Sequence, residues 1–126
     1  MIGSILVADD DLSFASIVKS FLESKGHRVI LAADGLAAAM NVFDHKPNLV
    51  ILDIKMPGPY GISVWESLQH DSSTAKIPVI FVSGVIEEEA LRRRIAASET
   101  SRFFSKPVDL SKLHLVINEL LETKKA

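Results

Sequence analysis

The chain has no cysteine among its 126 residues. That excludes disulfides, thiolate metal centres and cysteine nucleophiles, and leaves the redox compartment open. It has little net charge: 14 basic against 16 acidic side chains give −2, so no overall field favours nucleic acid or an anionic membrane. It has no long apolar run. The opening MIGSILVADDD reaches three acids after a handful of apolar residues, too few for a signal peptide or a membrane span. Repeats, low-complexity tracts and linkers are missing, and the four histidines (His27, His45, His70, His114) show no metal-ligand spacing. What is there is apolar material, 48% of the residues, enough for one core in a chain within the single-domain range of roughly 100–200 residues. The expectation is one soluble cytoplasmic domain over residues 1–126, making no direct contact with nucleic acid or membrane.

The apolar residues fall into two alternating patterns. Ser4–Ala8 is a short buried run ending in Asp9, Asp10 and Asp11. Phe14, Ile17, Val18, Phe21 and Leu22 then recur at helical intervals, and Gly26 stops that helix. His27–Leu31 reads as a second strand. Asp34-Gly35 is a turn signal before an alanine-rich helix carrying Leu36, Met40 and Phe43 on one face. Asn48–Leu52 is a third strand ending in Asp53, followed by a Pro/Gly loop, Met56–Gly61, and a helix over Ile62–Gln69. Ile77–Val82 is a fourth strand ending in Ser83 and Gly84, Ile86–Ala97 a helix, Arg102–Phe104 a fifth strand ending near Lys106. Leu113, Val116, Ile117, Leu120 and Leu121 mark a last helix. This strand–helix alternation predicts an α/β fold with a parallel sheet covered by helices on both faces. NLVIL and IPVIFV are apolar almost throughout, as strands buried on both faces should be.

Ligands of open α/β sheets bind beyond the carboxyl ends of the strands. On this reading those ends carry Asp9, Asp10 and Asp11, then Asp53, Ser83 and Lys106. Carboxylates crowded together repel and need a balancing cation. Magnesium suits a site of two carboxylates, a backbone carbonyl and waters, with room for a phosphoryl oxygen. Lys106 supplies a second, fixed positive charge. Phosphoryl transfer asks mainly for positioning and charge neutralisation, and an aspartate can serve as its nucleophile. The residues therefore point to a magnesium-dependent phosphoryl site.

In order and spacing, ILVADDD, LVILDIKMPGPYG, VIFVSG and FFSKP resemble the landmarks of response-regulator receiver domains. The likeness runs over essentially the whole chain. It implies a flavodoxin-like (βα)5 fold with sheet order 2-1-3-4-5. It implies that Asp9 and Asp10 hold Mg²⁺, that Asp53 is the phosphoacceptor and a metal ligand, and that the backbone carbonyl of Lys55 is a further ligand. Ser83 would bond the phosphoryl group and draw its loop inward, Lys106 would contact the phosphoryl oxygens, and Phe103 would be the switch aromatic. The Lys106–Pro107 bond would be cis. The resemblance further implies a histidine kinase or histidine phosphotransfer protein as donor. A downstream protein would dock on the face of the fourth helix, fifth strand and fifth helix. Such a protein is a switch that catalyses its own phosphorylation and dephosphorylation rather than a turnover enzyme. No output domain is expected in this chain.

Some residues depart from the family pattern. Phe103, often tyrosine, has no hydroxyl, and Gly84 stands where alanine is usual. Lys55 and Val85 are neither acids nor amides, so neither suits orienting an attacking water, and slow self-dephosphorylation is expected. Pro59-Tyr60 alters the loop after the third strand, and Glu99-Thr100-Ser101 lacks the usual small pair.

Plainer readings compete at single residues. Asp11 reads as the N-cap of the first helix. Glu87–Glu89 with Arg92–Arg94 reads as a solvated, self-paired face, with Glu88–Arg92 and Glu89–Arg93 at the favourable spacing, or else as a docking face. The histidines read as incidental, and Trp65 and the phenylalanines as core. Among whole functions, the alternatives are a degenerate receiver-fold module without phosphorylation and a fragment of a larger regulator or hybrid histidine kinase. A haloacid-dehalogenase-like phosphatase needs an acid where Lys55 stands. A flavodoxin-like carrier needs a phosphate loop where three acids stand.

Overall fold

The computed structural model describes residues 3–55, 61–84 and 89–125. Residues 56–60, with Pro59-Tyr60, and residues 85–88, with Val85, Glu87 and Glu88, lie outside the described residues, so the expected loop shape, the Glu88–Arg92 pair and the helix start at Ile86 do too. The elements are β1 (Ser4–Ala8), α1 (Leu12–Ser24), β2 (Arg28–Ala32), α2 (Gly35–His45), β3 (Leu49–Asp53), α3 (Gly61–Gln69), β4 (Val79–Ser83), α4 (Glu89–Ala97), β5 (Ser101–Ser105) and α5 (Leu110–Lys125). All strand pairs are parallel, in the order β2-β1-β3-β4-β5. The flavodoxin-like architecture is as expected. Among the described residues no helix is long and apolar enough to cross a membrane.

Strand alternation divides the core in two. Ile5, Val7, Leu49, Ile51, Ile80 and Val82 face one way and pack with Ala15, Val18 and Leu22 of α1 and Leu113, Ile117, Leu120 and Leu121 of α5. Leu6, Ala8, Val50, Leu52, Val79 and Phe81 face the other way and pack with residues of α2, α3 and α4. Successive strand residues point to opposite faces, so β3 and β4, buried at every position, are apolar up to their last residues, Asp53 and Ser83. That leaves polar side chains only at the strand ends.

Caps set where the helices begin. Asp11 accepts the Phe14 N–H at 3.1 Å and opens α1, and Asp109 accepts the Lys112 N–H at 3.1 Å ahead of α5. Asp34 accepts the Ala37 N–H at 2.8 Å, so Asp34-Gly35 is a helix start as well as a turn. Gly26 ends α1 with φ 94°, a backbone that glycine adopts without steric cost.

Of the apolar face expected for α2 (Leu36, Met40 and Phe43), only Phe43 packs against the core. Leu36 and Met40 are 61% and 56% exposed, while Gly35, Ala38 and Val42 are buried. Two apolar stripes share this helix, and the small-residue stripe lets its backbone come closer to the sheet. Ile17 of α1 is exposed for a similar reason: Ala15, Val18 and Leu22 form the buried stripe. β4 begins at Val79, not Ile77, because Pro78 has no N–H for the ladder. The segment before β5 braces itself, with Arg102 donating to the carbonyls of Glu99 and Ser101 at 3.0 and 2.9 Å.

Candidate functional site

Each polar strand end is held by its own backbone. Asp9 follows β1, and its N–H donates to Ala32 O at 3.0 Å, extending the β1–β2 pairing by one step. The Asp9 carboxylate is buried, and its Oδ1 accepts the Asp11 N–H at 2.9 Å. Asp53 is the last residue of β3, buried, and its Oδ1 accepts the Lys55 N–H at 3.1 Å. Ser83 is the last residue of β4, also buried, and its carbonyl accepts the Lys106 N–H at 2.9 Å. The Lys106–Pro107 bond is cis.

Side chains then meet over the sheet edge. One carboxylate oxygen each from Asp9, Asp10 and Asp53 lies within 4.8 Å of the others. Lys106 Nζ sits 2.8 Å from Asp9 Oδ2 and 3.7 Å from Asp53 Oδ2. Burial, then the neighbouring Asp9 charge, pushes the Asp53 pKa above the ordinary aspartate value to about 6, against the opposing pull of the Lys55 N–H and Lys106. Burial works against the Lys106 charge, but the Asp9 and Asp53 carboxylates more than offset it and raise its pKa. Three carboxylates facing one ammonium leave negative charge uncompensated. Asp9 Oδ2 is buried against the Lys106 ammonium, which is 2.8 Å away. Three clustered carboxylates, an all-oxygen donor set with excess negative charge, fit a hard divalent cation.

The sequence-derived residues Asp9, Asp10, Asp53 and Lys106 thus converge, and Ser83 and Lys55 adjoin them through the backbone. Lys55 itself points to solvent. Asp11 is a cap, as its plainer reading had it. Phe103 is half-buried, packs against the α2–α3–α4 side of the core, and lines a groove of about 720 Å³ between α4 and β5 with Arg92, Ile95, Glu99 and Arg102. The Glu89–Arg93 pair forms at 3.7 Å, but Arg94 turns instead to Glu66 at 4.0 Å and the Trp65 ring at 5.2 Å.

Two features escaped the sequence reading. Phe14, assigned to core, has its ring centroid 4.6 Å from Lys106 Nζ. His27 and His114 are not incidental: their Nε2 atoms lie 3.3 Å apart, and His27 Nδ1 accepts the Gly3 N–H at 3.0 Å. Neutral His27 therefore carries its proton on Nε2 and donates to His114. Residues separated by 87 positions leave no local pattern that could have paired them.

The chain matches the model of the response regulator receiver domain over residues 5–118. It is 33% identical over 119 residues to Protein PilH of Pseudomonas aeruginosa, covering 93% of this chain and 96% of PilH. It is 30% identical to Response regulator PleD of Caulobacter vibrioides, covering 95% of this chain but 28% of PleD. In structure it is similar to the receiver domain of Francisella response regulator 1452, with TM-score 0.84, 26% identity, and coverage of 97% of this chain and 98% of that one. The Vibrio cholerae chemotaxis protein CheY4, at TM-score 0.84, 20% identity, 95% of this chain and 99% of that one, shares the fold.

Proposed function

Because the chain belongs to the response regulator receiver domain family, we propose that it is a phosphorylation switch of two-component signalling with Asp53 as acceptor. The observation that carries the reading is the convergence of the Asp9, Asp10 and Asp53 carboxylates on one small volume, bridged by the Lys106 ammonium. A histidine kinase or histidine phosphotransfer protein is the donor. An Asp53 carboxylate oxygen bonds to phosphorus as the bond from phosphorus to the donor imidazole nitrogen breaks, and the imidazole leaves with the electron pair. At neutral pH the Asp53 carboxyl, with its pKa at about 6, is mainly the carboxylate that this step needs.

Asp9, Asp10 and Asp53, with the Lys55 carbonyl, hold Mg²⁺. The ion supplies charge neutralisation for the phosphoryl oxygens. Lys106 neutralises a further phosphoryl oxygen, and the Ser83 hydroxyl donates to another. Drawing Ser83 inward shifts the start of the β4–α4 connection. Phe103 repacks in the α4–β5 groove, and the face of α4, β5 and α5 changes for a downstream partner. Lys55 offers no acid or amide to orient water, so the acyl phosphate is long-lived. The protein works in the cytoplasm as a switch that returns to its starting state. It acts either as a separate switch of PilH-like length or as the receiver part of a longer regulator.

Borohydride reduction after incubation with a small acyl phosphate and Mg²⁺ tests this reading. It converts an aspartyl phosphate to homoserine. Peptide mapping should find homoserine at position 53, and a chain reduced elsewhere or nowhere overturns the assignment.

A further inference from the structure

We propose that Phe14 is a positioning residue for phosphoryl acceptance: its ring face holds the Lys106 ammonium over the site when the carboxylates release it. This rests on the acceptor reading above and deepens it.

The placement of the ring is fixed by a closed circuit of contacts. The Asp9 Oδ1 atom accepts the Asp11 N–H at 2.9 Å. Asp11 Oδ1 accepts the N–H of Phe14 at 3.1 Å, capping α1. The Phe14 ring lies 4.6 Å from Lys106 Nζ. Lys106 Nζ returns to Asp9 Oδ2 at 2.8 Å. Meanwhile the Lys106 N–H is anchored on Ser83 O at 2.9 Å. Backbone and cap thus fix the main chain on both sides of the contact between ring and ammonium.

The chemistry explains why a ring is useful there. In the structure Lys106 leans on Asp9 and Asp53, two of the carboxylates that the acceptor reading gives to a divalent cation. A cation on those carboxylates weakens their hold on the ammonium and repels it. An aromatic face attracts an ammonium through its quadrupole and offers a hard cation no oxygen ligand. Phe14 therefore competes for nothing that Asp9, Asp10 and Asp53 hold. The ring keeps the lysine within reach of the incoming phosphoryl oxygens and shields one side of it from water. A leucine would fill the space but supply no such face.

Initial rates of Asp53 labelling by a small acyl phosphate with saturating Mg²⁺, measured for wild type, Phe14→Leu and Phe14→Tyr, test the role. Phe14→Leu should slow labelling by about 3- to 10-fold, the range a partly desolvated cation–π contact supplies, and Phe14→Tyr should restore it. In a Lys106→Met background, Phe14→Leu should slow labelling no further, because the two act as one unit. Thermal melts of each variant separate loss of fold from loss of rate. In the NMR spectrum the Lys106 ε-methylene protons should lose their upfield ring-current shift in Phe14→Leu. A wild-type rate in Phe14→Leu, or an equal slowing with Lys106→Met present, overturns the role of Phe14 alone. Failure of wild type to label overturns the acceptor reading and this role with it, even if the ring-current shift is present.

Discussion

At the carboxyl ends of the strands, Asp9, Asp53 and Lys106 are brought together as ionisable groups, with the Lys106 ammonium 2.8 Å from Asp9 Oδ2 and the Asp53 pKa raised to about 6. At the opposite end, Gly3, His27 and His114 are also buried or half-buried and polar, yet they form a neutral relay in which the Gly3 N–H and both Nε2 atoms have partners. Burial lowers the pKa of His27, reinforced by His114, and burial also lowers that of His114, reinforced by Lys25. The same physical cause acts at both ends, the penalty on a buried charge. One end answers by discarding charge and the other keeps it. Three carboxylates set against one ammonium call for a balancing cation, so the end that keeps its charge is the one arranged for a ligand.

The comparison breaks first at Lys106. Lys106→Met should slow labelling of Asp53 by about 100-fold, the usual size for removing one charge-stabilising donor, measured as initial rates with Mg²⁺. A wild-type rate would show that the ammonium is merely a structural counter-ion.

Asp53→Asn tests the strain at the same end. A raised folded pKa means that the native state holds its proton more tightly than the unfolded chain. The group therefore withdraws stability as pH rises from the ordinary 3.8 to about 6. At pH 7 without divalent cation, Asp53→Asn should be more stable than wild type by about 3 kcal/mol, roughly two pKa units of interaction. Denaturant melts measure this, and added Mg²⁺ should narrow the gap by stabilising only the wild type strongly.

At the other end the sign reverses. His27→Ala leaves the Gly3 N–H without its acceptor and should cost about 1–3 kcal/mol, read from the same melts. The relay also has its own pH response. Histidines with lowered folded pKa values contribute stability above the ordinary value of 6.5 that is lost as pH falls below it. The stability of wild type relative to His27→Ala should therefore shrink between pH 7 and pH 5. A difference that stays flat over that window would mean that the pair is not held neutral.

Much of the carboxyl end was legible in the sequence because its information is local. A strand buried on both faces must be apolar until it ends, so the first polar residue after NLVI or IPVIFV marks the sheet edge. Asp53 and Ser83 fell on the last strand positions and Asp9 just beyond. The amino end was not legible, since its contacts join His27 to a residue 87 positions away. Face choice on α2 was misjudged because hydrophobicity alone favours Leu36 and Met40, whereas close packing on the sheet favours Ala38 and Val42. The Phe14 contact was invisible for the opposite reason: an aromatic at a helical apolar position looks like core whatever stands over its face.

The most direct test of the account is the intact mass of the wild-type chain after exposure to a small acyl phosphate, with Mg²⁺ and with chelator, beside Asp53→Asn. Wild type should gain the mass of one phosphoryl group with Mg²⁺, and no mass should be gained with chelator or in Asp53→Asn. A folded wild type that gains no mass with Mg²⁺, or an Asp53→Asn chain that gains as much, would contradict it.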